Sequence, residues 1–148
     1  MQKDFDGWNI RKKTIDGEER KPDFHEREIW WCSFGVNVGR EQDGRSNNFE
    51  RPLVVIKKLS PDTFCALPLS TKKKLERFQS VVTHADVHGH ALLDQVRVLD
   101  SKRLLRKIGS MEQGEFLPMK KKLGGVSRRP KPLCIRILAN RFLLSSVL

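Results

Sequence analysis

The sequence predicts a mainly β protein: a small, closed, largely antiparallel sheet with one or two short helices. Short apolar runs of strand length recur between Ile29 and Ile108. Tight polar turns such as Ser60-Pro61-Asp62 separate them. A chain of 148 residues, 38% hydrophobic and 32% charged, has room for one core and a solvated surface.

Met1 to Asp23 is charged and polar, broken by Gly7, Gly17 and Pro22, and reads as an extension with one short helix around Asn9 to Thr14. Ile29 to Val36 is aromatic and apolar, as in a buried strand, and Gly39 to Gly44 is a polar loop. Pro52 to Lys58 is dense in β-branched residues, and Thr63 to Leu67 returns as its hairpin partner. Phe78 to Thr83 and His90 to Leu99 are two further strands, Ser101 to Leu104 a helical turn, and Leu105 to Ile108 a last strand. Met111 to Leu123 has helical spacing, with Ser110 as a candidate N-cap and Pro118 expected to kink or shorten the helix. Gly124-Gly125 and Arg128-Arg129-Pro130-Lys131-Pro132 then read as a linker. The division expected is a polar extension over 1–24, a barrel domain over 25–123, and a basic, apolar tail over 124–148.

Charge favours a polyanionic partner, nucleic acid or an acidic protein, since the net value is +11. Much of that surplus lies from Met119 onward, where Lys120 to Lys122, Arg128, Arg129, Lys131, Arg136 and Arg141 meet no acid. Cys32, Cys65 and Cys134 are odd in number and lack CxxC spacing, which argues against a disulfide frame or a zinc site. The N-terminus has no apolar core of a secretory signal, and the tract Leu133 to Leu148 is too short to span a membrane and is interrupted by Arg136 and Arg141. A cytoplasmic, reduced protein with no cofactor is expected.

Four blocks stand in one order. They are Glu28-Ile29-Trp30-Trp31-Cys32-Ser33-Phe34-Gly35; Gly39-Arg40-Glu41-Gln42-Asp43-Gly44; Arg51-Pro52-Leu53-Val54-Val55-Ile56 with Pro68-Leu69-Ser70-Thr71-Lys72; and Asp94-Gln95-Val96-Arg97-Val98-Leu99-Asp100. In this order and spacing the chain resembles the PemK/MazF family of toxin ribonucleases from toxin–antitoxin pairs. The resemblance runs from Glu28 to about Leu123. It implies an SH3-like β-barrel that forms a homodimer and cleaves single-stranded RNA, chiefly messenger RNA, until a small acidic antitoxin silences it. It also implies the route: attack by the RNA's own 2′-hydroxyl, without a metal ion, giving a 2′,3′-cyclic phosphate and a 5′-hydroxyl. The alternatives are a non-enzymatic barrel that binds a target such as gyrase, as CcdB relatives do, and an inactive member of the family.

Such chemistry needs a base near the 2′-oxygen, a donor for the leaving 5′-oxygen, and cations around the phosphate. Arginine suits the last task, because its planar fork stays charged and grips phosphate with two prongs. The family motif carried over gives Arg51 and Ser70 as the catalytic pair. An insertion, Ser46 to Glu50, separates Arg51 from the loop, so Arg45 is a rival; the following Pro52 favours Arg51. Thr71 is an alternative hydroxyl, since strand alternation lets only one of the two face the site. Glu41 is the candidate base, its competing role being to stabilise the loop. Gln42, Gln95, Lys72 and Arg97 are candidate RNA contacts, with Arg97 alternatively paired to Asp94 or Asp100. In His84-Ala85-Asp86-Val87-His88-Gly89-His90 alternation would put His84, Asp86, His88 and His90 on one face, as in a metal site or a two-histidine nuclease, but the stretch reads as a solvent-exposed hairpin. Trp30 and Trp31 could stack bases, but alternation lets only one face outward, and core is expected for both.

Overall fold

A computed structural model describes residues 2–73, 76–84 and 87–126. The tail beyond Val126, with Cys134, and the Ala85-Asp86 tip lie outside the described residues. Helix α1 spans Phe5–Gly17 and α2 spans Gln113–Val126. The strands are β1 (Glu28–Ser33), β2 (Glu50–Lys58), β3 (Thr63–Ser70), β4 (Gln79–His84), β5 (Val87–Leu92), β6 (Arg97–Asp100) and β7 (Leu104–Ser110). They form one curled antiparallel sheet in the order β4-β5-β3-β2-β1-β7, with β6 pairing β3.

The unbroken apolar runs of β2 and β3 arise because both faces of the sheet are covered. Val54 and Ile56 enter one core layer with Ile29, Leu67, Leu69, Met111, Phe116 and Met119. Leu53 and Val55 point the other way, among Phe24, Trp30, Cys32, Phe34 and Phe64. Burial pushes the thiols of Cys32 and Cys65 up to about 12, so both are packing groups rather than nucleophiles.

Three expectations need correction. His90 to Leu99 is not one strand: a 3-10 turn over Leu93–Gln95 divides β5 from β6. Leu92 and Leu93 are both buried, Leu92 at the end of β5 and Leu93 at the start of the turn. The break carries the chain along one edge of β3, from Leu69 and Ser70 down to Thr63–Ala66. Pro118 does not end α2, which continues through Gly124 and Gly125 to Val126. The hydrogen bond it forfeits belongs to Gly114, whose carbonyl is on the exposed side, while Phe116 and Met119 pin the opposite face to the core. Helix α1 is longer than the Asn9 to Thr14 expected. Asp4 caps it by accepting from the Gly7 amide at 2.8 Å, and Trp8 and Ile15 are buried with Phe49 in a third cluster. Gly35, at φ +94°, faces the Trp8 indole so closely that a Cβ there would lie 2.4 Å from the ring.

Candidate active site

Antiparallel pairing of β2 with β3 sets Leu53 against Pro68 and so brings the start of β2 alongside the end of β3. Arg51 stands at that start and is only 8% exposed. Its Nε donates to the Asp43 carbonyl at 2.5 Å and its Nη1 to the Leu69 carbonyl at 3.0 Å. Burial pushes its pKa down, as does neighbouring Arg45, while Asp43 opposes them. A guanidinium starts high enough to remain a cation regardless. Nη2 has no hydrogen bond among the described residues and is free for a phosphate oxygen.

Above Arg51 opens a pocket of about 170 Å³. Ser70, Thr71, Arg45 and Arg51 line it, together with Trp31, Glu50, Pro52, Leu69, Val87, His88 and Gly89. Leu69 belongs to the core layer that holds α2, and Val87 packs against that layer, so the pocket is its open end. Ser70 Oγ accepts from the Lys72 amide at 3.2 Å, which leaves its proton free to donate outward. Thr71 is more exposed. Gly89 lies within β5 because a Cβ there would come 2.8 Å from the Ser70 carbonyl; the strand needs the bare backbone to close on the site.

Arg45 and Arg51 line the same pocket. The segment between them folds back as a hairpin, with reciprocal Arg45–Glu50 backbone hydrogen bonds of 2.7 and 2.8 Å, and delivers both arginines to one pocket. Ser46 and Phe49 take positive φ to make the turn, and Phe49 tucks beneath Trp8, ring centroids 5.5 Å apart.

The remaining candidates gather on the flank, outside the pocket lining. Glu41 pairs with Arg97 at 3.1 Å, and Arg97 also donates to Asn37 Oδ1 at 2.9 Å and lies over the Phe34 ring. Arg97 therefore meets Glu41 and Asn37. The Gln42 amide donates to Gln95 Oε1 at 3.2 Å, and Asn37 Nδ2 to the Gln42 carbonyl at 2.6 Å. Asp43 accepts from the Asn37 amide at 2.6 Å and pairs with Lys3 at 2.8 Å. Thus the flank fixes Asp43, and the Asp43 carbonyl fixes Arg51. Lys72 contributes its amide to Ser70, and its side chain is exposed.

Glu50 is a pocket residue with no role expected from the sequence, and Trp31 and His88, expected as core and as an exposed hairpin, line the pocket as well. Trp30 is core, its indole Nε1 donating to buried Glu28 at 2.9 Å, while Trp31, one residue on, turns to the pocket wall. The signal was alternation: Trp30 shares a face with Cys32, and Trp31 with Ile29. In the histidine stretch, His88 reaches the pocket, whereas the His84 ring lies against Gly109.

Residues 25–126 match the family described as PemK-like, MazF-like toxin of type II toxin–antitoxin systems. The crystal structure of MazF from Deinococcus radiodurans is similar over 73% of this chain and 97% of that one, with 26% sequence identity and a TM-score of 0.57. An endoribonuclease from a mycobacterial species, solved in complex with its cognate antitoxin, is similar over 72% of this chain and 97% of that one. Its identity of 13% and TM-score of 0.53 speak to the fold alone. No curated protein matches the sequence. Among the described residues no helix is long and apolar enough to cross a membrane.

Proposed function

Since the chain belongs to the PemK-like, MazF-like toxin family of type II toxin–antitoxin systems, we propose that it is an endoribonuclease cleaving single-stranded RNA without a metal ion. The observation that carries this reading is the meeting of buried Arg51 and Ser70 in one pocket. Two neutral carbonyls orient the guanidinium without neutralising it, which leaves its charge for a phosphate.

In the reaction the 2′-oxygen attacks phosphorus, the P–O5′ bond breaks, and a 2′,3′-cyclic phosphate and a 5′-hydroxyl result. Arg51 Nη2 and the Ser70 hydroxyl stabilise the non-bridging oxygens as negative charge builds. Arg45, exposed at the rim, attracts the backbone. The 2′-hydroxyl proton has two acceptors on the pocket wall, Glu50 and His88. Glu41 takes the other role open to it: through Arg97 and Asn37 it holds the loop whose Asp43 carbonyl orients Arg51. A homodimer in the cytoplasm, silenced by an acidic antitoxin segment that covers the pocket, completes the reading.

The test is incubation of the purified protein with a long single-stranded RNA in excess EDTA. Fragments with 5′-hydroxyl and cyclic-phosphate ends are expected. Loss of all cleavage under EDTA, restored by a divalent metal, overturns the metal-free route.

A further inference from the structure

Trp31 sits where a core residue would be wasted. It shares a strand face with Ile29, which is fully buried, but the core layer ends before reaching it, and the ring lies on the wall of the pocket that holds Arg51 and Ser70. Its indole N–H has no hydrogen-bond partner among the described residues, in contrast to Trp30, whose N–H is bonded to Glu28. The ring is nonetheless held. β7 places Arg106 opposite Trp31, the guanidinium lies 4.8 Å from the ring centroid, and Glu50 anchors Arg106 at 3.0 Å. Arg106 is not among the residues lining the pocket, so it backs the ring without filling the cavity.

A fixed, half-buried aromatic beside a phosphate-binding arginine matches one chemical class of ligand: a nucleobase attached to that phosphate. Rings stack on tryptophan with little dependence on base identity, and an indole already oriented by its neighbours loses little freedom on binding. We propose that Trp31 is the platform on which a nucleobase flanking the scissile phosphate stacks. This rests on the reading of the pocket as an RNA site. It adds a base subsite formed by Trp31 and backed by Arg106 and Glu50, which swings the reacting phosphate onto Arg51 and Ser70.

The experiment is a four-way comparison of single-turnover cleavage. Wild type and Trp31→Ala are each given a single-stranded RNA and the same RNA with one abasic nucleotide, placed 5′ or 3′ of the cleaved bond. Trp31→Ala is expected to lower kcat/KM on intact RNA by about tenfold or more. Removing the stacked base should cost wild type a similar factor on one side only, and should cost the variant nothing further there. Trp31→Phe, which keeps a stacking face, should recover most of the loss; this separates stacking from a general disturbance of the fold. Losses that multiply on both sides, or a Trp31→Ala variant as active as wild type, overturn the proposal. If wild type cleaves no RNA, the nuclease reading fails on its own. The same comparison run as equilibrium binding of 2′-O-methyl oligonucleotides then decides the stacking claim independently.

Discussion

Arg51 and Arg97 lie on strands of one sheet and are held in opposite ways. Arg51 is buried and hydrogen-bonded only to carbonyls, so its charge is oriented without a direct ion pair. Arg97, with its side chain 24% exposed, is paired with a carboxylate, bonded to an amide oxygen and laid over a phenyl ring. Location near a site does not decide what a cation does; the partners already holding it do. A guanidinium met by neutral acceptors has affinity left for a phosphate, whereas one met by a carboxylate has largely spent it.

The contrast breaks most sharply at Arg51. Arg51→Ala should slow single-turnover RNA cleavage by about a hundredfold or more, through lost stabilisation of transition-state charge. Arg51→Lys should recover little, because one ammonium cannot reach both carbonyls and a phosphate. Retention of cleavage within a few-fold of wild type in Arg51→Ala would place the active site elsewhere. A smaller effect separates the two hydroxyls. Ser70→Ala should cost roughly tenfold in the chemical step, the worth of one hydrogen bond to a charged oxygen, and Thr71→Ala clearly less. The reverse order would make Thr71 the donor. The smallest effects belong to the flank. Glu41→Gln and Arg97→Met each remove a half-exposed ion pair, worth about 1 kcal/mol or less, and should lower the rate by no more than about fivefold. Combined, they should cost little more than either alone, because both act through one loop. A hundredfold loss in Glu41→Gln alone would instead make Glu41 the general base.

The strands were legible wherever both faces of a run are buried, as in Pro52 to Lys58, because the apolar signal is then continuous. The family motif singled out Arg51 and Ser70, and the structure brings both to one pocket. Other features depend on contacts that local pattern does not encode. The break at Leu93–Gln95 falls in a run without glycine or proline. Helix α1 buries only Trp8 and Ile15, too few for a periodic stripe, and Trp8 meets its partners Gly35 and Phe49 far along the chain. Arg45 and Arg51 share one pocket through a hairpin that brings its two ends together, which sequence distance cannot reveal. Trp31 looked like core because its neighbour is.

The packing of Trp8 on Gly35 and Phe49 bears on how this chain exchanges parts with its relatives. Helix α1 lies before the stretch that matches the family, yet the hairpin carrying Arg45 is seated on it. Moved into a relative without that helix, the hairpin would bring a bare phenyl ring to the edge of the pocket that holds Arg51. Moved without the hairpin, the helix would lose the ring that Trp8 covers. Any exchange that separated the two would leave half of a joint on each side.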